Sequence, residues 1–240
     1  MLGAEGLHSV SRWSVRVFPN AFPVAWGKAG RHEVIVETPR HAELFEDFSE
    51  AQLALLFEAF QDRFAALSRG KSVNYVLLFK NFGDKSGASI AHEHSQIVAF
   101  PFVPDAVAAE IGNTQALDAD LKLPAVLENR FFKAVCPKAS MFPYQVRVLA
   151  KEKKARLEDF SVEQGVALLA LLQSVIRKVK TAQGVADYTL VWHAAPKGRR
   201  LRFHVDVLPR KSVWGGIELG AGVSVNYKMP REALRELRKA

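Results

Sequence analysis

Only one cysteine, Cys136, occurs in the 240 residues. A single thiol cannot form an internal disulfide, so the stapled secreted scaffolds are excluded, and the chain suits a reducing cytoplasm. Long apolar runs are missing too. None approaches the roughly 20 residues that a membrane-spanning helix requires, so no membrane partner is expected. The opening MLGAEGLHSVSRW lacks a basic segment followed by an apolar core and does not read as a secretory signal. Lys and Arg outnumber Asp and Glu by 33 to 25, for a net charge of +8, yet no basic run is interleaved with aromatics. The modest clusters Lys151-Glu152-Lys153-Lys154 and Lys197-Gly198-Arg199-Arg200 read as solvated surface. That charge suits anionic nucleotide substrates, and nucleic acid is not the expected partner. Apolar residues are plentiful at 49%, enough for a core in one large domain or two small ones.

The densest chemistry lies between Asn74 and Pro104. Tyr75-Val76-Leu77-Leu78-Phe79 reads as a largely buried strand by its length and flanking turn residues. A polar loop from Asn81 to Ser89 follows, carrying Asn81, Gly83, Gly87 and Ser89, where glycines let backbone amides approach a ligand closely. His92-Glu93-His94-Ser95-Gln96 then leads into a second apolar run, Ile97-Val98-Ala99-Phe100. On a strand, alternation would put His92, His94 and Gln96 on one face and Glu93 and Ser95 on the other. Such a row suits attack on phosphorus, because a neutral imidazole whose second nitrogen is held by a hydrogen bond is a competent nucleophile. In that reading His94 attacks the α-phosphorus of a nucleotide and Gln96 hydrogen-bonds the phosphoryl oxygens without titrating. The loop amides hold the charged groups in line, and His92 orients its neighbour or binds a metal. A core histidine pair or a plain metal site is the alternative for the same residues.

The chain also repeats itself. Phe45-Glu46-Asp47-Phe48-Ser49 with Gln52 returns as Leu157-Glu158-Asp159-Phe160-Ser161 with Gln164, a capping box each time. Helical spacing follows both: Leu53, Leu56, Phe57, Phe60, Phe64 and Leu67 in the first copy, Leu168, Leu169, Leu172, Val175, Ile176 and Val179 in the second. Val34-Ile35-Val36 and Val146-Arg147-Val148 read as the strands ahead of the helices. Asn74-Tyr75-Val76-Leu77 and Asp187-Tyr188-Thr189-Leu190 read as those behind. His92-Glu93-His94 then stands against His204-Val205-Asp206, so the copies differ where the chemistry lies. The expected fold class is α+β, one continuous, mostly antiparallel sheet with helices packed on it, built from repeats at residues 1–120 and 121–240. Pro230 to Lys239 reads as a short basic surface helix that starts at its proline.

KNFGDKSGASIAHEHSQIVAFP resembles the galactose-1-phosphate uridylyltransferase branch of the histidine-triad (HIT) superfamily, which ends in His-x-His-x-Gln where the hydrolase branch has a third histidine. WSVRVFPNAFP, GRHEVIVETPRH, VWHAAP, FHVDVLPR and GIELG extend the similarity over nearly the whole chain. The resemblance implies tandem HIT-like repeats and a homodimer whose sites are completed by the partner chain. It makes Phe18 and Asn20 the candidate base and ribose contacts and Glu218 a sugar-hydroxyl contact. It implies a zinc held by His41 and His92, with two further ligands from a Cys-x-x-Cys pair that this sequence lacks. Either this branch does without the zinc, or those ligands precede the sequence. A second metal, zinc or iron, is implied at His193, His204 and Asp206, the aspartate standing where the family has histidine; the alternative is a hydrogen-bonded trio. Ile217 and Ser212 replace a tyrosine and a phosphate-binding lysine, and Arg210 and Lys211 are the neighbouring cations that could substitute.

The expected function is therefore nucleotidyl transfer in two steps. A nucleoside diphosphate sugar gives its nucleotide to His94, and a hexose 1-phosphate or inorganic phosphate removes it. Hydrolysis of dinucleotides with water as acceptor is disfavoured by Gln96, which cannot act as a general acid or base. A non-catalytic nucleotide- or RNA-binding role is the remaining alternative.

Overall fold

A computed structural model describes residues 13–25, 31–88, 90–184, 186–211 and 213–240. Its elements in chain order are β1 (Arg16–Pro19), β2 (Arg31–Val36), α1 (Glu50–Ser68), β3 (Tyr75–Phe82), β4 (His94–Phe100), α2 (Asp105–Gly112), α3 (Thr114–Asp120), β5 (Ala125–Glu128), β6 (Phe132–Val135), β7 (Val146–Ala150), α4 (Val162–Gln183), β8 (Tyr188–His193), β9 (His204–Pro209), α5 (Gly216–Ala221) and α6 (Pro230–Lys239). The strands form one sheet in the order β1-β2-β4-β3-β8-β9-β7-β6-β5, every neighbouring pair antiparallel. The order reads outward from β3 and β8 in the same way on both sides: β3, β4, β2, β1 against β8, β9, β7, β6. This is an α+β fold with helices laid against a continuous antiparallel sheet.

One core cluster contains residues from both halves of the chain. Leu53, Leu56, Phe57 and Phe60 of α1 and Leu168, Leu169, Leu172 and Val175 of α4 are buried with Leu78, Ile97, Val148, Leu190 and Val205 of the sheet. Each such side chain contributes about 1.5–3 kcal/mol on leaving water. β3 runs three residues beyond the apolar stretch that predicts it, because β8 supplies hydrogen-bond partners for Lys80, Asn81 and Phe82 opposite Leu190, Thr189 and Tyr188. α6 starts at its proline as expected, but it is more than a surface helix: Ala233 and Leu237 are buried in the shared core. Among the described residues, no helix is long and apolar enough to cross a membrane.

Both helix starts carry the capping serine. Ser49 Oγ accepts from Gln52 N and Ser161 Oγ from Gln164 N, each at 3.2 Å. The box is complete only in α4, where Gln164 Oε1 also accepts from Ser161 N at 3.1 Å. In α1 the Gln52 side chain donates instead to the carbonyls of Ser14 and Glu37, tying the helix to the ends of β1 and β2. The helices touch where Gly165 of α4 lies against the fully buried Phe57 ring of α1. A methyl at residue 165 would occupy the ring's own volume. Gly165→Ala gains about 1 kcal/mol of helix propensity, but overpacking costs about 1–3 kcal/mol, and more where a buried ring cannot move. Net destabilisation is expected in urea unfolding; a stabilised variant would refute the close packing.

The backbone also sets the correspondence between repeats. Glu37 N donates to Glu93 O, and Ala150 N donates to Phe203 O, both at 3.1 Å. Phe79 faces Gln96 as Val191 faces Asp206. His94 therefore corresponds to His204 and Gln96 to Asp206. The sequence match of His92-Glu93-His94 with His204-Val205-Asp206 is two residues out of step, because the second copy is two residues shorter between its Leu157 motif and its histidine strand.

Candidate functional site

His92 lies in the bend ahead of β4, and from His94 the strand alternates. Glu93 and Ser95 turn to the helix face, where Ser95 Oγ donates to Glu37 Oε1 at 2.5 Å. There the Lys80 ammonium pairs with Glu37 at 2.8 Å and with Glu93. On the opposite face, Gln96 Oε1 accepts from His32 Nε2 at 2.7 Å and from Asn20 Nδ2 at 3.3 Å. With its oxygen so occupied, the Gln96 amide nitrogen is the end left to donate.

The protonation of His94 follows from its partner. Its Nδ1 lies 2.8 Å from the carbonyl oxygen of His92. A carbonyl only accepts, so Nδ1 carries a proton, and in the neutral ring Nε2 keeps the lone pair. No described residue hydrogen-bonds that Nε2. The ring lines a hollow of about 360 Å³ together with Asn81, Phe82, Gly83, Ala88 and Ile90. Asn81 Oδ1 accepts from Thr189 Oγ1 at 3.1 Å, which leaves its amide nitrogen as a donor. His92 thus orients His94 through its backbone carbonyl rather than its ring.

The glycine loop is held from the second repeat. Gly83 (φ 83°) and Gly87 (φ 80°) bracket a short turn over residues 84–86, both in the left-handed half of backbone space. Asp187 accepts from Lys85 N at 2.7 Å and lies so close that a Cβ on Gly83 would stand 2.5 Å from its Cγ. Gly83→Ala is expected to displace Asp187 and the turn together, costing about 1–3 kcal/mol through the forced backbone. It should weaken nucleotide binding by isothermal titration calorimetry; unchanged affinity would remove the loop from the site.

His32 and Asn20 join the row. The sequence reading singled out Asn20 and missed His32, which packs opposite Val98 on β2 and leaves no local pattern. His32 Nδ1 accepts from Val24 N at 3.3 Å, so Nε2–H is the donor to Gln96. Burial holds this imidazole below its ordinary 6.5, against the opposing Gln96 hydrogen bond. Its folded pKa is below its unfolded one, so its stabilising contribution is complete above about pH 6.5 and is lost as pH falls through the folded value. Between pH 7.5 and pH 5, the wild type should lose urea stability faster than His32→Gln; parallel losses would refute this.

The remaining candidates are spread out. Phe18 is exposed on β1. Glu218 is half-buried, its carboxylate accepting from Gly215 N at 3.0 Å at the start of α5. Neither lines the His94 hollow. Ser89 and Ser212 lie outside the described residues. His41 and His92 do meet, Nδ1 to Nδ1 at 3.0 Å, while His92 Nε2 donates to Thr38 O at 2.6 Å. No third described histidine, cysteine or carboxylate joins them within metal-binding reach. Among the described residues, that four-ligand zinc site is not assembled.

The second implied metal centre is better furnished. His193 and His204 stack at 4.3 Å, and Glu110 of α2 reaches over them, Oε2 to His193 Nδ1 at 2.9 Å and Oε1 to His204 Nε2 at 3.5 Å. Donor atoms of these three lie within 4.8 Å of one another. His204 Nδ1 donates to Arg202 O at 2.9 Å, the same arrangement as in His94, so Nε2 is a lone pair. That nitrogen is fully buried and has no hydrogen-bond partner. A lone pair facing a carboxylate across 3.5 Å calls for a cation, and a zinc or iron ion fits this donor set. Burial alone would raise the Glu110 carboxyl, but the hydrogen-bonded His193 beside it holds it well below the usual range. Burial likewise lowers His193, and Glu110 and Asp206 more than restore it. Asp206 is adjacent but engaged by Arg147, Nε to Oδ1 and Nη2 to Oδ2, both at 2.8 Å. Neither Glu110 nor Arg147 carries a sequence signal, since each comes to the centre from a different element.

Residues 14–103 match the family model described as the N-terminal domain of DUF4931, a domain of unknown function. ADP-glucose phosphorylase of Arabidopsis thaliana is 25% identical, the match covering 88% of this chain and 64% of that protein. Its crystal structure with bound ADP-glucose superposes with a TM-score of 0.89 at 24% identity, covering 95% of this chain and 83% of that one, and shows a common fold. Galactose-1-phosphate uridylyltransferase of Thermotoga maritima is 28% identical over 98% of this chain and 87% of its own length. The Streptomyces lividans enzyme of that name is 31% identical, over 78% of this chain and 58% of its length. The chain thus spans less than two thirds of the Arabidopsis and Streptomyces relatives.

Proposed function

We propose, for a chain that belongs to the galactose-1-phosphate uridylyltransferase-like branch of the histidine-triad superfamily, two-step nucleotidyl transfer from a nucleoside diphosphate sugar through His94. The observation that carries the reading is the His94 Nδ1–H bond to the His92 carbonyl, which in the neutral ring puts the lone pair on Nε2 beside the glycine loop. In the first step Nε2 forms a bond to the α-phosphorus, and the bond from that phosphorus to the bridging oxygen breaks, releasing the sugar phosphate. In the second, an oxygen of the acceptor phosphate attacks the same phosphorus, and the P–N bond returns its electron pair to Nε2. The proton on Nδ1 stays throughout, and the His92 carbonyl stabilises the charge that the ring acquires.

The amide nitrogens of Gln96 and Asn81 would donate to the phosphoryl oxygens, with His32 and Asn20 fixing Gln96. Phe18 and Asn20 would meet the base and ribose. Glu218 would take sugar hydroxyls from a segment whose Val213, Ile217, Leu219 and Tyr227 are exposed, in keeping with a homodimer in which this segment reaches the partner's site. Zinc or iron at Glu110, His193 and His204 would fasten α2 to β8 and β9, a structural task.

Donor and acceptor are separated by one experiment. The protein is incubated with α-³²P-labelled UDP-glucose or ADP-glucose and no acceptor, and base-stable, acid-labile label on the chain is expected. Galactose 1-phosphate or inorganic phosphate is then added, and the one that discharges the label is the acceptor. No label from either donor would sink the proposal, and steady hydrolysis without a burst would make water the acceptor.

A further inference from the structure

We infer that Arg147 withdraws Asp206 from the second metal centre, so that Glu110, His193 and His204 hold the ion as a three-donor site with a coordination position left open. The inference rests on the metal at that centre and is independent of the transfer chemistry at His94.

β7 and β9 pair with Arg147 directly opposite Asp206, and the guanidinium grips the carboxylate side-on through two 2.8 Å bonds. Gln145 Nε2 adds a weaker approach to Oδ2 at 3.4 Å. Both Asp206 oxygens are thereby engaged in the planar two-bond geometry that arginine favours. The guanidinium is itself fixed from behind by Asp120, Nη1 to Oδ2 at 3.1 Å. Turning Asp206 toward a metal would abandon a bidentate pair in a buried place, where an unmatched charge is costly.

Position agrees with pairing. Glu110 meets His193 at Nδ1, whereas Asp206 approaches the same ring at Nε2, 3.8 Å away. The carboxylate that converges with both histidines is Glu110. The ion pairs give the same division: Arg147 meets Asp206 at 2.8 Å and Asp120 at 3.1 Å but stands 4.0 Å from Glu110, the carboxylate left to an ion. Arginine and metal are complementary here. A site with all ligands supplied by protein is closed, whereas three protein donors leave room for water or a small anion. Glu110 and His193 keep 23% and 17% of their side-chain surface exposed, so the centre is not sealed from solvent.

Cobalt(II) serves as the probe, because its visible absorption reports coordination. Wild-type protein is expected to bind one cobalt(II) per chain, and azide should shift the visible bands saturably; bands indifferent to azide would overturn the inference without any mutation. By chelator competition, Asp206→Asn should change the cobalt(II) dissociation constant by less than about threefold, whereas Glu110→Gln and His204→Ala should each raise it at least about 100-fold. Equal losses in all three would make Asp206 a ligand and refute the proposal. Arg147→Met, if folded by circular dichroism, should bind cobalt(II) about tenfold more tightly and lose the azide response, since Asp206 is then free to join. Wild-type protein that binds neither cobalt(II) nor zinc(II) would also overturn the inference, while leaving nucleotide labelling at His94 to be judged separately.

Discussion

His94→Ala is expected to abolish the covalent label from either nucleotide sugar and to lower turnover by about 10⁴-fold or more. Alanine cannot form the bond to phosphorus, and no other described imidazole faces the hollow with an unprotonated, unpartnered nitrogen. His92 lines the same hollow, but its Nε2 is tied to Thr38 O and its Nδ1 to His41. His204 shares the protonation pattern of His94 but presents Nε2 to Glu110. The glycine loop, Asn81 and Gln96 are untouched by the substitution, so nucleotide affinity should stay within about threefold of wild type by calorimetry. This split follows from a group whose bond exists only during reaction. Retained labelling in His94→Ala would move the nucleophile elsewhere, and lost affinity with retained labelling chemistry would make His94 a binding residue.

The sequence exposed whatever repeats within a strand or a helix turn. Alternation along β4 separates Glu93 and Ser95 from His94 and Gln96. The Ser49 and Ser161 caps and the stripes behind them give α1 and α4, and the doubled motif anticipates a sheet continuous across two copies. What stayed hidden depends on partners distant in sequence. His32 reaches Gln96 across 64 positions. Glu110 sits in a short alanine-rich helix with no motif of its own, and its role exists only where α2 crosses β8 and β9. Arg147 is in the sequence only the middle residue of the strand Val146-Arg147-Val148, and its partner Asp206 lies 59 positions away. The two-residue slip in matching the repeats has the same origin, since loop length differs while the ladder does not.

Lys80→Met should cost about 3–5 kcal/mol of stability in urea unfolding, the range for removing one partner of a buried ion cluster. Lys80, Glu37 and Glu93 are each at most 4% exposed, and Ser95 Oγ already donates to the same Glu37 carboxylate. Burial alone would lower the ammonium's pKa, but the two carboxylates more than restore it and keep it charged through neutrality. Methionine fills much of the volume, so the loss would come from two carboxylates stranded among Phe45 and its neighbours rather than from a cavity. Stranded carboxylates take up protons more readily, so the deficit of Lys80→Met relative to wild type should shrink as pH falls from 7 toward 5. Neutralising all three residues, Lys80→Met with Glu37→Gln and Glu93→Gln, should recover at least half of the loss, because no charge is then left unpaired. The consequence reaches the reaction through Glu93, which stands between the carbonyl that orients His94 and His94 itself. If the triple variant regains stability but transfers nucleotide more slowly than wild type, the ion cluster holds that carbonyl in place. A Lys80→Met loss below about 1 kcal/mol, in the range of exposed pairs, would mean that the cluster is not charged in the folded protein.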